Sequence, residues 1–263
     1  LSQFGAVLVI PFVYKNDLLG LMTLDQKKTD GTIFDIQDIE LLQTLSNNIT
    51  IAIRNAKLYK EVESAYFNIT KAFANALEAK DVYSIGHSDS VTKYSVAIAK
   101  KLNLPSEDII VITQAAMLHD LGKIGIHDYV LAKEGPLTQQ EWEEIKLHSL
   151  RGVEILKPLP FLKEVSDIIK HHHEHYDGSG YPDKLKQSQI PLGSQILAIA
   201  DAFDAMITDR PYRKPKKRLT IEEAMEELKK NSGTQFNPKI VELFIKIIEE
   251  NPNIVLSHRI KSE

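Results

Sequence analysis

The chain of 263 residues has no cysteine, which excludes disulfides, thiolate metal sites and cysteine nucleophiles and leaves histidines and carboxylates as candidate metal ligands. It also lacks a run of 18 apolar residues, so no segment reads as a membrane-spanning helix. The opening LSQFGAVLVIPFVY shows neither a basic leader nor a clear cleavage site, and the expectation is a soluble, cytoplasmic chain. That opening has no Met and falls within a strand-like run, as expected of a piece of a longer protein. Charge of one sign is missing as well. Lys and Arg number 32 against 36 Asp and Glu, a net charge of −4, so nothing marks a nucleic-acid polymer as partner. Between Ile36 and Gly86 there is neither glycine nor proline to punctuate a helix.

What is present in excess is histidine in one place. Residues His171 to Pro182 read HHHEHYDGSGYP and gather four of the nine histidines. Imidazoles at that density repel one another if protonated and leave polar nitrogens to satisfy if buried neutral, so a shared cation is the economical reason to collect them. His119 and Asp120, in HDLGK, form a second ligand-like pair at the end of an apolar helical segment.

Residues 6–14 and 18–25 read as two strands joined by a tight turn at Lys15-Asn16-Asp17. Asp35 then caps a helix starting near Ile36. From there Leu42, Leu45, Ile49, Ala52, Ala56 and Tyr59 step by 3 and 4, and the seam resumes as Val62, Tyr66, Ile69, Phe73 and Ala76 after a shortened step. A long helix joining two units follows, its seam serving either self-association or packing on its own domain. Residues 87–250 read as helices at about 88–102, 106–121, 138–156, 161–173, 193–208, 220–231 and 237–250, an all-α domain.

Helical spacing places His119 on the inward stripe with Val111, Ala115 and Leu118, and His148 with Trp142, Ile145, Gly152 and Ile155. His172 follows Val165, Ile168 and Ile169, with His173 on the flank, and Asp201 and Asp204 share one side of a later helix. A lone inward histidine is more often a core residue than a ligand, and a helix-end Asp is more often a cap. Four helices each bringing His or Asp inward change that balance, because unpaired buried carboxylates cost several kcal/mol and a shared cation removes the cost.

Residues 5–60, a hydrophobic hairpin followed by the F-x-x-x-D of Phe34 to Asp38 and an exiting helix, resemble the C-terminal part of a GAF domain. From about Lys71 to Ile248 the chain resembles the HD-GYP family of metal-dependent phosphohydrolases, through His87 in DVYSIGHS, HDLGKIGI, His148 in EIKLHSLRG, HHEHYDGSGYP and ILAIADAFDAMITDRPYR. The implied organisation is mainly α: a partial, small α/β GAF-like unit over 1–55, a linker helix over 56–80, and an all-α HD-GYP domain over 81–263. The implied activity is hydrolysis of cyclic di-GMP to pGpG and then GMP. Rival readings are an HD-type phosphohydrolase acting on another cyclic dinucleotide or nucleotide, and a non-catalytic receptor for cyclic di-GMP.

The resemblance implies two or three divalent ions, iron first and manganese second, on His87, His119, Asp120, His148, His172, His173 and Asp201, with Asp120 bridging. His171 falls outside the motif frame. The position of a third-metal carboxylate is held by Tyr83, which favours two ions, with Glu78 close enough in sequence to leave the number open. Two cations activate water and clamp the phosphoryl oxygens of an in-line displacement. Lys123 is the candidate for aiding the leaving oxygen. Tyr181, Asp204, Arg210 and Arg213 are the candidate substrate-binding residues, and the linker seam makes a homodimer the expected assembly.

Overall fold

A computed structural model describes residues 8–25, 34–80, 86–133, 135–208 and 218–256. Tyr83, Arg210 and Arg213 lie outside them, as do Lys214, Lys216 and Lys217. The chain divides into two compact units, Leu1–Asn68 and Ile69–Glu263, the division falling inside the segment expected as linker. No helix among the described residues is long and apolar enough to cross a membrane.

In the first unit, strand β1 (Leu8–Tyr14) pairs antiparallel with β2 (Asp17–Leu24) through a turn at Lys15-Asn16, with an irregularity between Phe12 and Val13. Helix α1 (Ile36–Lys80) is capped as expected: Asp38 N–H donates to Asp35 Oδ1 at 2.8 Å and Asp35 N–H to Asp38 Oδ2 at 2.9 Å. Ser46 Oγ donates to Pro11 O at 2.9 Å, and Ser46 and Thr50 are buried. This face is offset from the expected seam. Of the seam residues, Tyr59 is 74 % exposed, Val62 67 % and Phe73 60 %.

The second unit is helical: α2 (His87–Lys101), α3 (Ser106–Leu118), the short α4 (Asp128–Leu131), α5 (Gln139–Lys146), α6 (His148–Leu156), α7 (Lys163–His171), α8 (Leu192–Ile207), α9 (Ile221–Lys230), α10 (Pro238–Glu250) and the short α11 (Asn253–Leu256). Tyr94 of α2, Phe203 of α8 and Phe244 of α10 pack ring against ring at 5.1 to 5.7 Å, tying three helices together. Each such ring contributes about 1.5–3 kcal/mol by burial. Capping boxes at Thr138 and Thr220, each with Glu three residues on, start α5 and α9.

One expected helix is two. The run 138–156 breaks at Leu147, whose N–H turns back to Glu144 O at 3.2 Å, so α6 starts afresh at His148. The break redirects the inward face: His148 and Gly152 are buried while Trp142 and Ile155, expected beside them, are exposed. Against the new start packs a 3-10 turn, Leu121–Gly125. A Cβ on Gly122 would lie 1.8 Å from His148 O and 2.6 Å from Gly152 N, both backbone, so this contact requires glycine.

Gly122→Ala is therefore expected to cost about 3 kcal/mol, the upper end for overpacking a tight interior contact. Gly125→Ala, whose Cβ would meet only the flexible Arg151 side chain at 3.0 Å, serves as the control. Equal urea midpoints for the two variants would show that the turn does not need its close approach to α6.

Candidate metal centre

Helix ends and starts deliver the polar residues to one place. His87 opens α2, His119 and Asp120 follow the last residue of α3, His148 opens α6, His172 and His173 follow the last residue of α7, and Asp201 lies within α8. These positions leave side chains free to turn inward without breaking the helical ladders behind them. His148, His172 and His173 form one group with ligand atoms within 4.8 Å of one another, and His87, His119 and Asp201 form a second. Asp120 stands between the two. Its Oδ1 is 3.9 Å from His148 Nε2, and its Oδ2 is 3.6 Å from His119 Nε2 and 4.0 Å from His87 Nε2. Lys123 reaches in from the 3-10 turn, its Nζ donating to Asp120 Oδ2 at 2.6 Å.

The protonation pattern identifies what the cluster can hold. His119, His148 and His172 each direct Nδ1 at a carbonyl three residues back, Ala116 O at 2.7 Å, Ile145 O at 2.7 Å and Ile169 O at 2.6 Å. A ring that donates from Nδ1 while neutral keeps its lone pair on Nε2. At His172 and His148 the neutral form is favoured. Burial pushes the His172 imidazole down to about 3, helped by His148 and His119, and burial lowers His148 as well, against the pull of Asp120. Burial and the neighbouring His172 and His148 hold His173 well below the usual range. His148 Nε2 and His172 Nε2 thus face each other at 3.5 Å with no proton between them, and His119 Nε2 is buried without a hydrogen-bond partner.

Facing lone pairs and an orphaned nitrogen are stable beside a cation and costly without one. Burial alone would raise Asp120, but the Lys123 ammonium beside it holds it well below the usual carboxylate range. Asp201 is lowered in the same way, with His87 hydrogen bonding offsetting burial. The donor set of imidazole and carboxylate suits divalent ions. HD-domain phosphohydrolases use such ions, and the residues present fit them.

The loop after α7 covers one side of the cluster. The Tyr181 ring stacks on His173 at 5.0 Å and 29°, with Lys146 Nζ 5.8 Å from its centre. Burial, then the Asp201 and Asp120 charges, push its hydroxyl upward, so it remains a donor. Gly180 is needed here, since a Cβ would sit 2.2 Å from His175 N. Glu174, which sequence reasoning passed over, anchors this loop: it is buried, and its carboxylate accepts Asp183 N–H at 2.6 Å and Leu185 N–H at 3.1 Å. Only its place in the HHEHYDGSGYP string hinted at a role, because its partners are backbone groups with no residue-type signature. His171 lies outside the cluster, its Nε2 3.0 Å from Asp183 Oδ2.

Two expectations change. Asp204, grouped with the substrate-binding residues, is 2 % exposed and its Oδ2 lies 2.6 Å from His87 Nδ1, so it faces a histidine and not an open groove. Glu78, the alternative third-metal acid, has both oxygens occupied at the start of α2, accepting Gly86 N–H and Ser88 N–H at 2.9 Å each.

The family model described as HD domain matches residues 71–240, and that described as GAF domain matches residues 1–53. A cyclic di-GMP phosphodiesterase of Thermotoga maritima is 36% identical over 221 residues, 83% of this chain and 59% of the relative. The 3'3'-cGAMP-specific phosphodiesterase 2 of Vibrio cholerae is 35% identical over 215 residues, 81% and 41% of the two. The cyclic di-GMP phosphodiesterase response regulator RpfG of Xanthomonas campestris is 37% identical over 188 residues, 71% and 49% of the two. The chain spans about half the length of these relatives. Among solved structures, a cyclic GMP-AMP specific phosphodiesterase of V. cholerae shares the fold, with a TM-score of 0.55 at 21% identity over 73% of this chain and 53% of that one.

Removing the loop anchor is expected to free the loop while leaving the helices intact. Glu174→Ala forfeits two charge-assisted bonds, about 1.5–3 kcal/mol each. Hydrogen exchange at the Asp183 and Leu185 amides should then accelerate at least tenfold with far-UV circular dichroism unchanged. Unaltered exchange would mean that the loop is held by other contacts.

Proposed function

Because the chain belongs to the HD domain family and carries its HD-GYP signature, we propose that it is a metal-dependent phosphodiesterase that hydrolyses cyclic di-GMP to pGpG and then GMP. The observation that carries this reading is Asp120, set between two three-residue ligand groups with one oxygen toward each and with Lys123 at 2.6 Å. Two divalent ions per chain, iron first and manganese second, are the proposed cofactors. The engagement of Glu78 with backbone amides supports two over three.

When bound, the ions supply a water of lowered pKa and positive charge for the phosphoryl oxygens. The chain's own groups do the rest. Asp120 serves both halves of the site with its two oxygens, and its negative charge keeps the Lys123 ammonium at the edge of the cluster. Lys123 donates a proton to the departing 3′ oxygen. Tyr181 presents a ring face for a base and a protonated hydroxyl for a phosphate. Arg210 and Arg213, assigned from sequence alone, grip phosphate through bidentate guanidinium contacts. A cytoplasmic location goes with this reading.

A second substrate reading rests on the Vibrio relatives named as cGAMP-specific, which match at similar identity. Purified, metal-loaded chain offered cyclic di-GMP and 3′3′-cGAMP separately tests both, with cyclic di-GMP expected to be the faster. Hydrolysis of neither would leave the receptor reading standing. Asp120→Ala should abolish turnover, and Lys123→Ala should lower kcat by about 10²–10⁴ with KM little changed. Arg210→Ala should raise KM with a modest effect on kcat. An unchanged kcat in Lys123→Ala removes it from the chemical step.

We further propose a homodimer through α1, supported by the exposed apolar residues Tyr59, Val62, Ile69 and Phe73 along that helix. Light scattering should give twice the chain mass, and Val62→Glu with Ile69→Glu should halve it. A monomer before substitution would contradict the assembly.

A further inference from the structure

Four histidines of the cluster divide three to one by what their Nδ1 meets. His119, His148 and His172 each give Nδ1 to a carbonyl of the helix that ends beside them. His87 opens α2 directly after Gly86, whose φ of 78° turns the chain. Its Nδ1 goes instead to Asp204 Oδ2, at 2.6 Å and 117 residues away, with both side chains buried. Asp204 follows Asp201 by one turn of α8, and Asp201 Oδ1 lies 3.1 Å from the other nitrogen of the same ring. One helix therefore holds both sides of this imidazole.

From this contact we infer that Asp204 is a positioning residue, an anionic counterpart of the carbonyls behind the other three histidines, which makes the His87/His119/Asp201 half of the centre bind its cation more tightly than the His148/His172/His173 half. The inference rests on the metal-centre reading above. A carboxylate behind an imidazole fixes Nδ1–H, aims Nε2 and raises the basicity of that nitrogen more than a neutral carbonyl does. The Asp201 half also contains a carboxylate of its own, whereas the other half is three imidazoles, and Asp120 lies between the two. Asp204, 2 % exposed, acts through His87.

The test is Mn²⁺ binding to chelator-stripped chain, followed by equilibrium dialysis for the wild type, Asp204→Asn, Asp204→Glu, His87→Ala and the His87→Ala/Asp204→Asn double variant. The wild type should show two classes of site. Asp204→Asn should weaken the tighter class 10–100-fold and leave the weaker class unmoved, and Asp204→Glu should recover part of the loss. In the His87→Ala background the Asn substitution should add nothing, an outcome that general damage to the fold would not give. Asp204→Asn binding like the wild type, or weakening both classes alike, or adding its full effect without His87, would overturn the inference. Absence of any Mn²⁺ binding by the wild type would instead overturn the metal-centre reading beneath it, so the two failures are distinct.

Discussion

Opposed lone pairs are the constraint around which the second unit is built. Two neutral imidazole nitrogens 3.5 Å apart repel, and the pairing of each Nδ1 with a backbone carbonyl prevents either ring from escaping by tautomer exchange. Protonation offers no relief, since burial in a cluster of like groups drives the His172 pKa to about 3. Positive charge among the rings would relieve it. The fold can hold the arrangement because His119, His148 and His172 each follow the last turn of a helix, whose carbonyl their Nδ1 meets, while His87 meets Asp204.

Around that centre, the packing reads as support for aim. Gly122 allows the turn bearing Lys123 to touch the backbone of His148, so two elements that carry reactive groups share one contact. The aromatic cluster of Tyr94, Phe203 and Phe244 lies on the helices that carry His87 and Asp201, and fixes their separation. Glu174 ties the loop bearing Tyr181 to the same segment that supplies His172 and His173. The proposed binding and catalytic groups and the structural ones are therefore close neighbours in the chain.

Much of this was legible in the residues. The motif strings and the 3.6-residue stripes pointed to His87, His119, Asp120, His148, His172, His173 and Asp201, and the fold brings those seven together from separate helices. Spacing on α8 sets Asp204 on the face of Asp201, where it is buried, but does not say that His87 meets it there. The break at Leu147 has no glycine or proline to announce it, so one helix was expected where two exist. On α1, apolar steps of 3 and 4 fit a seam, yet the hairpin packs on the stripe of Ser46 and Thr50, which hydrophobic periodicity ignores. Glu174 left no signal because backbone amides were its partners.

The proposed centre holds two cations, one on either side of the Asp120 carboxylate. Anomalous diffraction from crystals of the iron- or manganese-loaded chain tests it most directly. The account predicts two peaks about 3.5–4 Å apart, one reached by His87, His119 and Asp201 and the other by His148, His172 and His173. A loaded crystal with no peak within reach of these residues, or with a single ion that leaves one group of three without a metal, would contradict it.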